Sequence, residues 1–113
     1  MQYQHMESLG GRRRPNKNSL NTRWRHPSFS AYADYMETPA FLEAVGELEV
    51  LALGKTTAIM CSEALWWRCH RALVADFMKV KGWRVCHIMG TSKTTEHPYT
   101  SVAIVNNGIL TYR

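Results

Sequence analysis

A parallel α/β domain closed by a C-terminal β-hairpin is the fold class this sequence predicts, and three observations predict it. Helix, strand, helix and strand signals alternate with short links between residues 38 and 88, the order of a unit with a right-handed crossover. An Asn106-Asn107-Gly108 turn separates two β-prone runs near the C-terminus. The chain has 113 residues, 45 % of them apolar and 20 % charged, which suits a single domain over residues 1–113.

Tyr3-Gln4-His5-Met6 is a short strand candidate within residues 1–8, and the Gly10-Gly11 pair after it permits a tight turn. Residues 9–31 read as a basic loop rich in turn formers (Pro15, Asn16, Asn18, Ser19, Asn21, Pro27), with Trp24 and Phe29 anchoring it to the body. Thr38 is an N-cap and Pro39 fits the first helical position; Phe41, Leu42, Val45 and Leu48 recur at helical spacing up to Gly54. Residues 31–36 add a helical turn ahead of that helix. Thr56-Thr57-Ala58-Ile59-Met60-Cys61 reads as a buried strand. A second helix over residues 67–81 presents Leu73, Val74, Phe77, Met78 and Val80 and ends at Gly82, and residues 83–88 form another strand. Residues 32–100 are thus the α/β core and residues 101–113 the hairpin.

Charge is unevenly placed. Residues 1–30 hold Arg12, Arg13, Arg14, Lys17, Arg23 and Arg25 against Glu7 alone, while the remaining 83 residues balance. A basic arm ahead of a neutral body suits a polyanion, a small phosphate or a solvated loop. No apolar run approaches the roughly 18–20 residues of a membrane span. There is no secretory leader pattern, and three cysteines cannot all pair within one chain. These features predict a soluble chain in the reducing cytoplasm, without membrane contact.

The densest polar group lies where the first clear strand meets the second helix: Cys61-Ser62-Glu63, then Trp66-Trp67-Arg68-Cys69-His70-Arg71. Strand ends and helix N-termini in α/β folds hold anions. Arg71 or Arg68 would clamp one there, with Glu63 holding a hydroxyl or acting as a base. Three readings compete for Cys61, Cys69 and His70. As metal ligands they lack the usual spacing, and neighbours at 69 and 70 diverge on a helix, so no metal is assigned. As a nucleophile, Cys61 resembles a phosphatase cysteine with one residue too many before Arg68, and Cys69 near a helix N-terminus would be activated if exposed. As small hydrophobes, both cysteines simply pack. Cys86 and His87 read as packed strand residues on opposite faces. His97 either reaches the cleft of Glu63 or is a plain loop histidine, and Trp66-Trp67 either stacks on a base or covers a sheet edge. Glu63, His70 and Cys61 are the candidate catalytic residues. Arg12, Arg13, Arg14, Arg23, Trp24 and Arg71 are the candidate ligand-binding ones, the arm being a basic patch interleaved with an aromatic.

Leu9-Gly10-Gly11-Arg12-Arg13-Arg14, then Asn21-Thr22-Arg23-Trp24-Arg25 through Tyr32-Ala33-Asp34-Tyr35-Met36, then Met60-Cys61-Ser62-Glu63, Cys69-His70-Arg71, Ala75-Asp76 and His87-Ile88 resemble the domain-of-unknown-function family numbered 488. The resemblance runs over roughly residues 3–100, and Cys-x-Glu followed by Cys-His-Arg is its most specific part. It implies a Rossmann-like α/β fold whose polar residues gather at strand ends, and no particular activity, substrate or cofactor. Members look longer at the N-terminus by a strand-helix-strand unit, so the resemblance implies a truncated Rossmann-like parallel sheet. A parallel edge left exposed predicts self-association. The function expected is binding or processing of a phosphate-bearing, nucleotide-like ligand at a strand-end cleft. The alternatives are a nucleic-acid-binding module using the arm and an inactive truncated remnant. The basic loop is expected to bring Arg12, Arg14 or Arg23 near Glu63, His70 and Arg71.

Overall fold

Each of the first two helices starts where a side chain satisfies an orphan backbone donor. The computed structural model describes residues 1–113. Helix α1 spans Pro27–Tyr35, with Pro27 at its first position and the His26 ring accepting from the Ser28 amide at 3.2 Å. Helix α2 spans Pro39–Gly54, and the Thr38 hydroxyl accepts from the Phe41 amide at 3.3 Å. Helix α3 spans Arg71–Val80 after a 3-10 turn at Trp66–Arg68, and Gly82 beyond it takes φ +97°, a left-handed geometry that glycine adopts without strain.

The strands form two separate antiparallel hairpins. β1 (Cys86–Gly90) pairs with β2 (Lys93–Glu96), placing Cys86 opposite Glu96 and His87 opposite Thr95, with a bulge between Ile88 and Gly90. β3 (Ile104–Asn106) pairs with β4 (Ile109–Thr111) through Asn107 (φ 50°) and Gly108 (φ 75°), the positive-φ pair of a tight hairpin turn. The C-terminal hairpin is therefore where the Asn-Gly signal put it.

The truncated Rossmann-like parallel sheet is absent. Residues 56–61 form no strand, and Ile59 and Met60 are exposed rather than buried. Tyr3 to Met6 also form no strand, and the only regular structure near them is the 3-10 turn Glu7–Leu9. A parallel strand needs neighbours on both edges and cover on both faces. Here the one strand in the central region, β1, is paired by the polar, β-branched run Lys93-Thr94-Thr95-Glu96 directly after it. An antiparallel partner two residues away needs no crossover. The parallel-sheet edge behind the expected self-association is accordingly missing.

What the helices bury instead is one another. Tyr32, Ala33 and Met36 of α1 and its C-cap, Phe41, Ala44, Val45 and Leu48 of α2, and Ala72, Leu73, Val74 and Met78 of α3 form one cluster, completed by Leu9 and Tyr112 from the two ends of the chain. Phe41 is wholly buried and meets Tyr32, Tyr35 and Phe77 edge-on at 6.0, 5.8 and 5.1 Å between ring centroids. No helix is long and apolar enough to cross a membrane.

Phe41→Ala removes the ring on which three others converge. A loss of about 3–5 kcal/mol is expected for such a truncation, a large share of the roughly 5–15 kcal/mol typical of a domain. A urea titration should show the midpoint falling accordingly; an unchanged midpoint would place the core elsewhere.

Candidate functional site

The basic arm is stitched to the helices rather than hanging free. Arg13 donates through one guanidinium nitrogen to the carbonyls of Glu7, Ser8 and Gly10 at 3.2–3.3 Å and lies 3.5 Å above the Tyr35 ring. Asn21, almost wholly buried, donates to Asp34 at 2.7 Å and Glu37 at 3.0 Å, and the Ser19 hydroxyl adds a bond to Asp34 at 2.6 Å. Arg23 turns toward the C-terminus, its Nε donating to the Val102 carbonyl at 2.7 Å and its amide to the Tyr112 carbonyl at 3.1 Å. Trp24 packs against Phe29 and Tyr112 at 4.9 and 5.5 Å.

The arm meets His70 through Gly11 and Arg13, whereas Arg12, Arg14 and Arg23, the residues expected there, make no hydrogen bond to Glu63, His70 or Arg71. A Cβ added at Gly11 would sit 2.5 Å from His70 Nδ1, so the glycine is needed for close approach and not for a turn. The His70 ring also packs against Tyr32 at 5.1 Å. Burial, followed by the Arg71 and Arg13 guanidiniums, pushes its imidazole toward the neutral form. Arg23 is bonded to Val102, while Arg12 and Arg14 are exposed and make no side-chain hydrogen bond or ion pair.

The polar group at residues 61–71 folds around sulfur. Cys61 and Cys69 bring their Sγ atoms to 3.5 Å. Cys61 Sγ accepts from the Glu63 amide at 3.3 Å, and Cys69 Sγ accepts from the Arg71 amide at 3.4 Å and from Arg71 Nε at 3.0 Å. The Arg71 guanidinium also donates to the Glu63 carbonyl, so Glu63 and Arg71 are neighbours. The Glu63 carboxylate accepts from the Leu65 amide at 3.3 Å. Burial pushes the Cys69 thiol up, against the pull of the Arg71 hydrogen bonds. No cluster of three or more His, Cys, Asp or Glu side chains is arranged to hold a metal.

Beside this group, the start of α1 and residues 63–68 border a shallow, open cleft of about 330 Å3 lined by His26, Ser28, Phe29, Glu63, Trp67 and Arg68. The two tryptophans have separate roles. Trp66 stacks on the His87 ring at 4.1 Å with 2° between planes, and Trp67 stands perpendicular to Trp66 and remains 47 % exposed at the cleft. Arg68 is exposed and, unlike Arg13 and Arg71, makes no side-chain bond within the chain.

A second polar network has no counterpart in the sequence reading. Asp76 and His97 are wholly buried and bonded at 2.7 Å, and His97 Nδ1 lies 2.7 Å from His87 Nε2. Asp76 also accepts from the Thr100 amide and hydroxyl and from the Tyr112 hydroxyl at 2.6–3.0 Å. A carboxylate only accepts, so His97 Nε2 carries a proton; with both rings neutral, His97 Nδ1 accepts from His87 Nε2. His97 is thus an interior residue and does not line the cleft of Glu63. Nothing local in the sequence links positions 76, 87 and 97, so only the fold could bring them together.

Burial, and then the neighbouring His97 and Arg71, push His87 from 6.5 down to about 4. Between those values the folded chain binds fewer protons than the unfolded chain, so stability should fall as pH drops through that window. NMR titration should find the His87 ring changing near pH 4; a midpoint near 6.5 would mean the ring lies outside the stack. Gly11→Ala is expected to cost about 1–3 kcal/mol by overpacking against His70, measurable as a lowered denaturation midpoint beside an exposed control such as Gly54→Ala.

No curated protein and no solved structure matches the chain. The family described as Domain of unknown function DUF488 matches residues 1–78, a stretch that includes the Gly11 approach to His70, the Cys61–Cys69 pair, the cleft residues and Asp76. On that match, which covers more than half of its length, the chain belongs to the DUF488 family.

Proposed function

We propose that the chain binds a phosphate-bearing, nucleotide-like ligand in the cleft between the start of α1 and residues 63–68. One observation carries this reading. An exposed indole (Trp67), a second aromatic (Phe29), an unengaged guanidinium (Arg68) and a carboxylate (Glu63) line one cleft of about 330 Å3, within the range of about 300–1,000 Å3 usual for small-ligand sites. The rings offer a stacking face, Arg68 a fork for phosphate oxygens, and Glu63 an acceptor for a sugar hydroxyl. Glu63 is also the candidate acid or base in this reading, with Cys61 directly behind it. Arg71 braces the wall through its bonds to the Glu63 carbonyl and the Cys69 sulfur, whereas the Arg13 guanidinium is taken by carbonyls of the arm itself. A reducing, cytoplasmic setting fits the three free cysteines.

A second reading rests on the arm. Arg12, Arg14, Lys17 and Arg25 are exposed and make no side-chain bond, which suits contact with a nucleic-acid backbone.

Titration calorimetry with a series of nucleoside phosphates separates these readings. A charge-assisted contact contributes about 1.5–3 kcal/mol, so Arg68→Ala should weaken binding about ten- to a hundredfold, and Trp67→Ala should weaken it in the same direction. No binding by any nucleotide, or affinity indifferent to Arg68, would sink the first reading. Oligonucleotide affinity that falls by about 0.7–0.9 log units per log unit of salt for each phosphate contacted would favour the second.

A further inference from the structure

The sulfur pair at residues 61 and 69 has a chemistry that ligand binding in the cleft does not use. We infer that Cys61 and Cys69 are a reversible thiol–disulfide exchange site for low-molecular-weight disulfides. The two Sγ atoms are already in contact at 3.5 Å. A bond between them needs them to close to about 2.0 Å, and the residues that must move have the freedom to do so. Cys61 lies on an irregular stretch between α2 and the 3-10 turn, outside any helix or strand, and Cys69 caps that turn ahead of α3. Both side chains are part-exposed, so a small disulfide can reach them.

The surroundings are polar where a packing pair would have apolar neighbours. Three N–H groups point at the two sulfurs: the Glu63 amide at Cys61, and the Arg71 amide and Nε at Cys69. Donors of this kind hold negative charge on sulfur, the form that attacks a disulfide. They belong to the backbone around the pair and to the first residue of α3, so the fold positions them whether or not the cleft is filled.

The Cys61 thiolate attacks one sulfur of the incoming disulfide, breaking its S–S bond and expelling one thiolate, which takes up a proton. Cys69 then loses its proton, with Arg71 Nε facing the sulfur, and attacks Cys61 Sγ. The mixed disulfide breaks and the second small thiol leaves. Two protein thiols and one small disulfide become one protein disulfide and two small thiols; the protein is oxidised by two electrons and the small disulfide reduced by two. Cys86 is free and exposed on β1, makes no hydrogen bond to either sulfur, and serves as an internal control.

The test uses the reduced full-length chain and excess glutathione disulfide, followed by peptide mapping by mass spectrometry. The expected result is an intramolecular Cys61–Cys69 crosslink, lighter by two hydrogens and reversed by added thiol. It should form equally in Cys86→Ser, whose substitution lies on an exposed strand. A stable glutathione adduct on Cys61 or Cys69, a crosslink through Cys86 or between chains, or two thiols that stay free would overturn the inference. In Cys69→Ser the intermediate cannot resolve, so glutathione should remain attached at Cys61; no adduct there would overturn the proposed order of attack.

Discussion

A carboxylate with no exposed surface, that of Asp76 in the middle of α3, sets the conditions for the C-terminal third of this molecule. A buried charge is costly unless donors surround it, and Asp76 gathers four: His97 Nε2, the Thr100 amide, the Thr100 hydroxyl and the Tyr112 hydroxyl. Those donors come from the end of β2, from the loop before β3 and from the end of β4. Both hairpins are therefore referred to one atom pair on the central helix, and neither is placed by sheet pairing to the other. Tyr112 feels the arrangement in return: burial and the adjacent carboxylate raise its phenol far above the ordinary range, fixing it as a donor.

The N-terminal arm obeys the same rule with the signs exchanged. Arg13 satisfies the carbonyls of Ser8 and Gly10 and adds a second donor to that of Glu7, while Asn21 and Ser19 supply donors to Asp34. Part of the excess positive charge in residues 1–30 is thus a means of folding a long irregular segment against α1 without a ladder. The guanidinium groups left over in the arm, and Arg68 in the cleft, are free to meet an anion.

Elements coded by adjacent residues were legible in the sequence. Thr38-Pro39 ahead of an apolar repeat announces α2, Gly82 announces the end of α3, and Asn107-Gly108 announces the C-terminal turn. Apolar character alone does not make a strand. Residues 56–61 are apolar and β-branched, yet they have no partner strand, while Lys93-Thr94-Thr95-Glu96 is polar and forms β2 because β1 lies directly before it. Composition does not reveal a strand's partner, and the partner decides. The candidate site divides in the same way. The local cluster Cys61, Glu63, Cys69 and Arg71 comes together through bonds spanning two to eight positions. Asp76, His87 and His97 are 10 to 21 positions apart and meet only once the chain has folded.

The β1–β2 hairpin is almost entirely solvated; of its strand residues only His87 is even half-buried, and four of the five in β1 and all four in β2 are exposed. It behaves as a cantilever, clamped at its root where His87 lies flat on Trp66 and His97 is locked to Asp76. At that root the Lys79 ammonium also donates to the His97 carbonyl and the His97 amide to the Val85 carbonyl, so polar and ring contacts rather than a hydrophobic face of the strands hold the hairpin. The hairpin can loosen as one unit while the three helices stay packed.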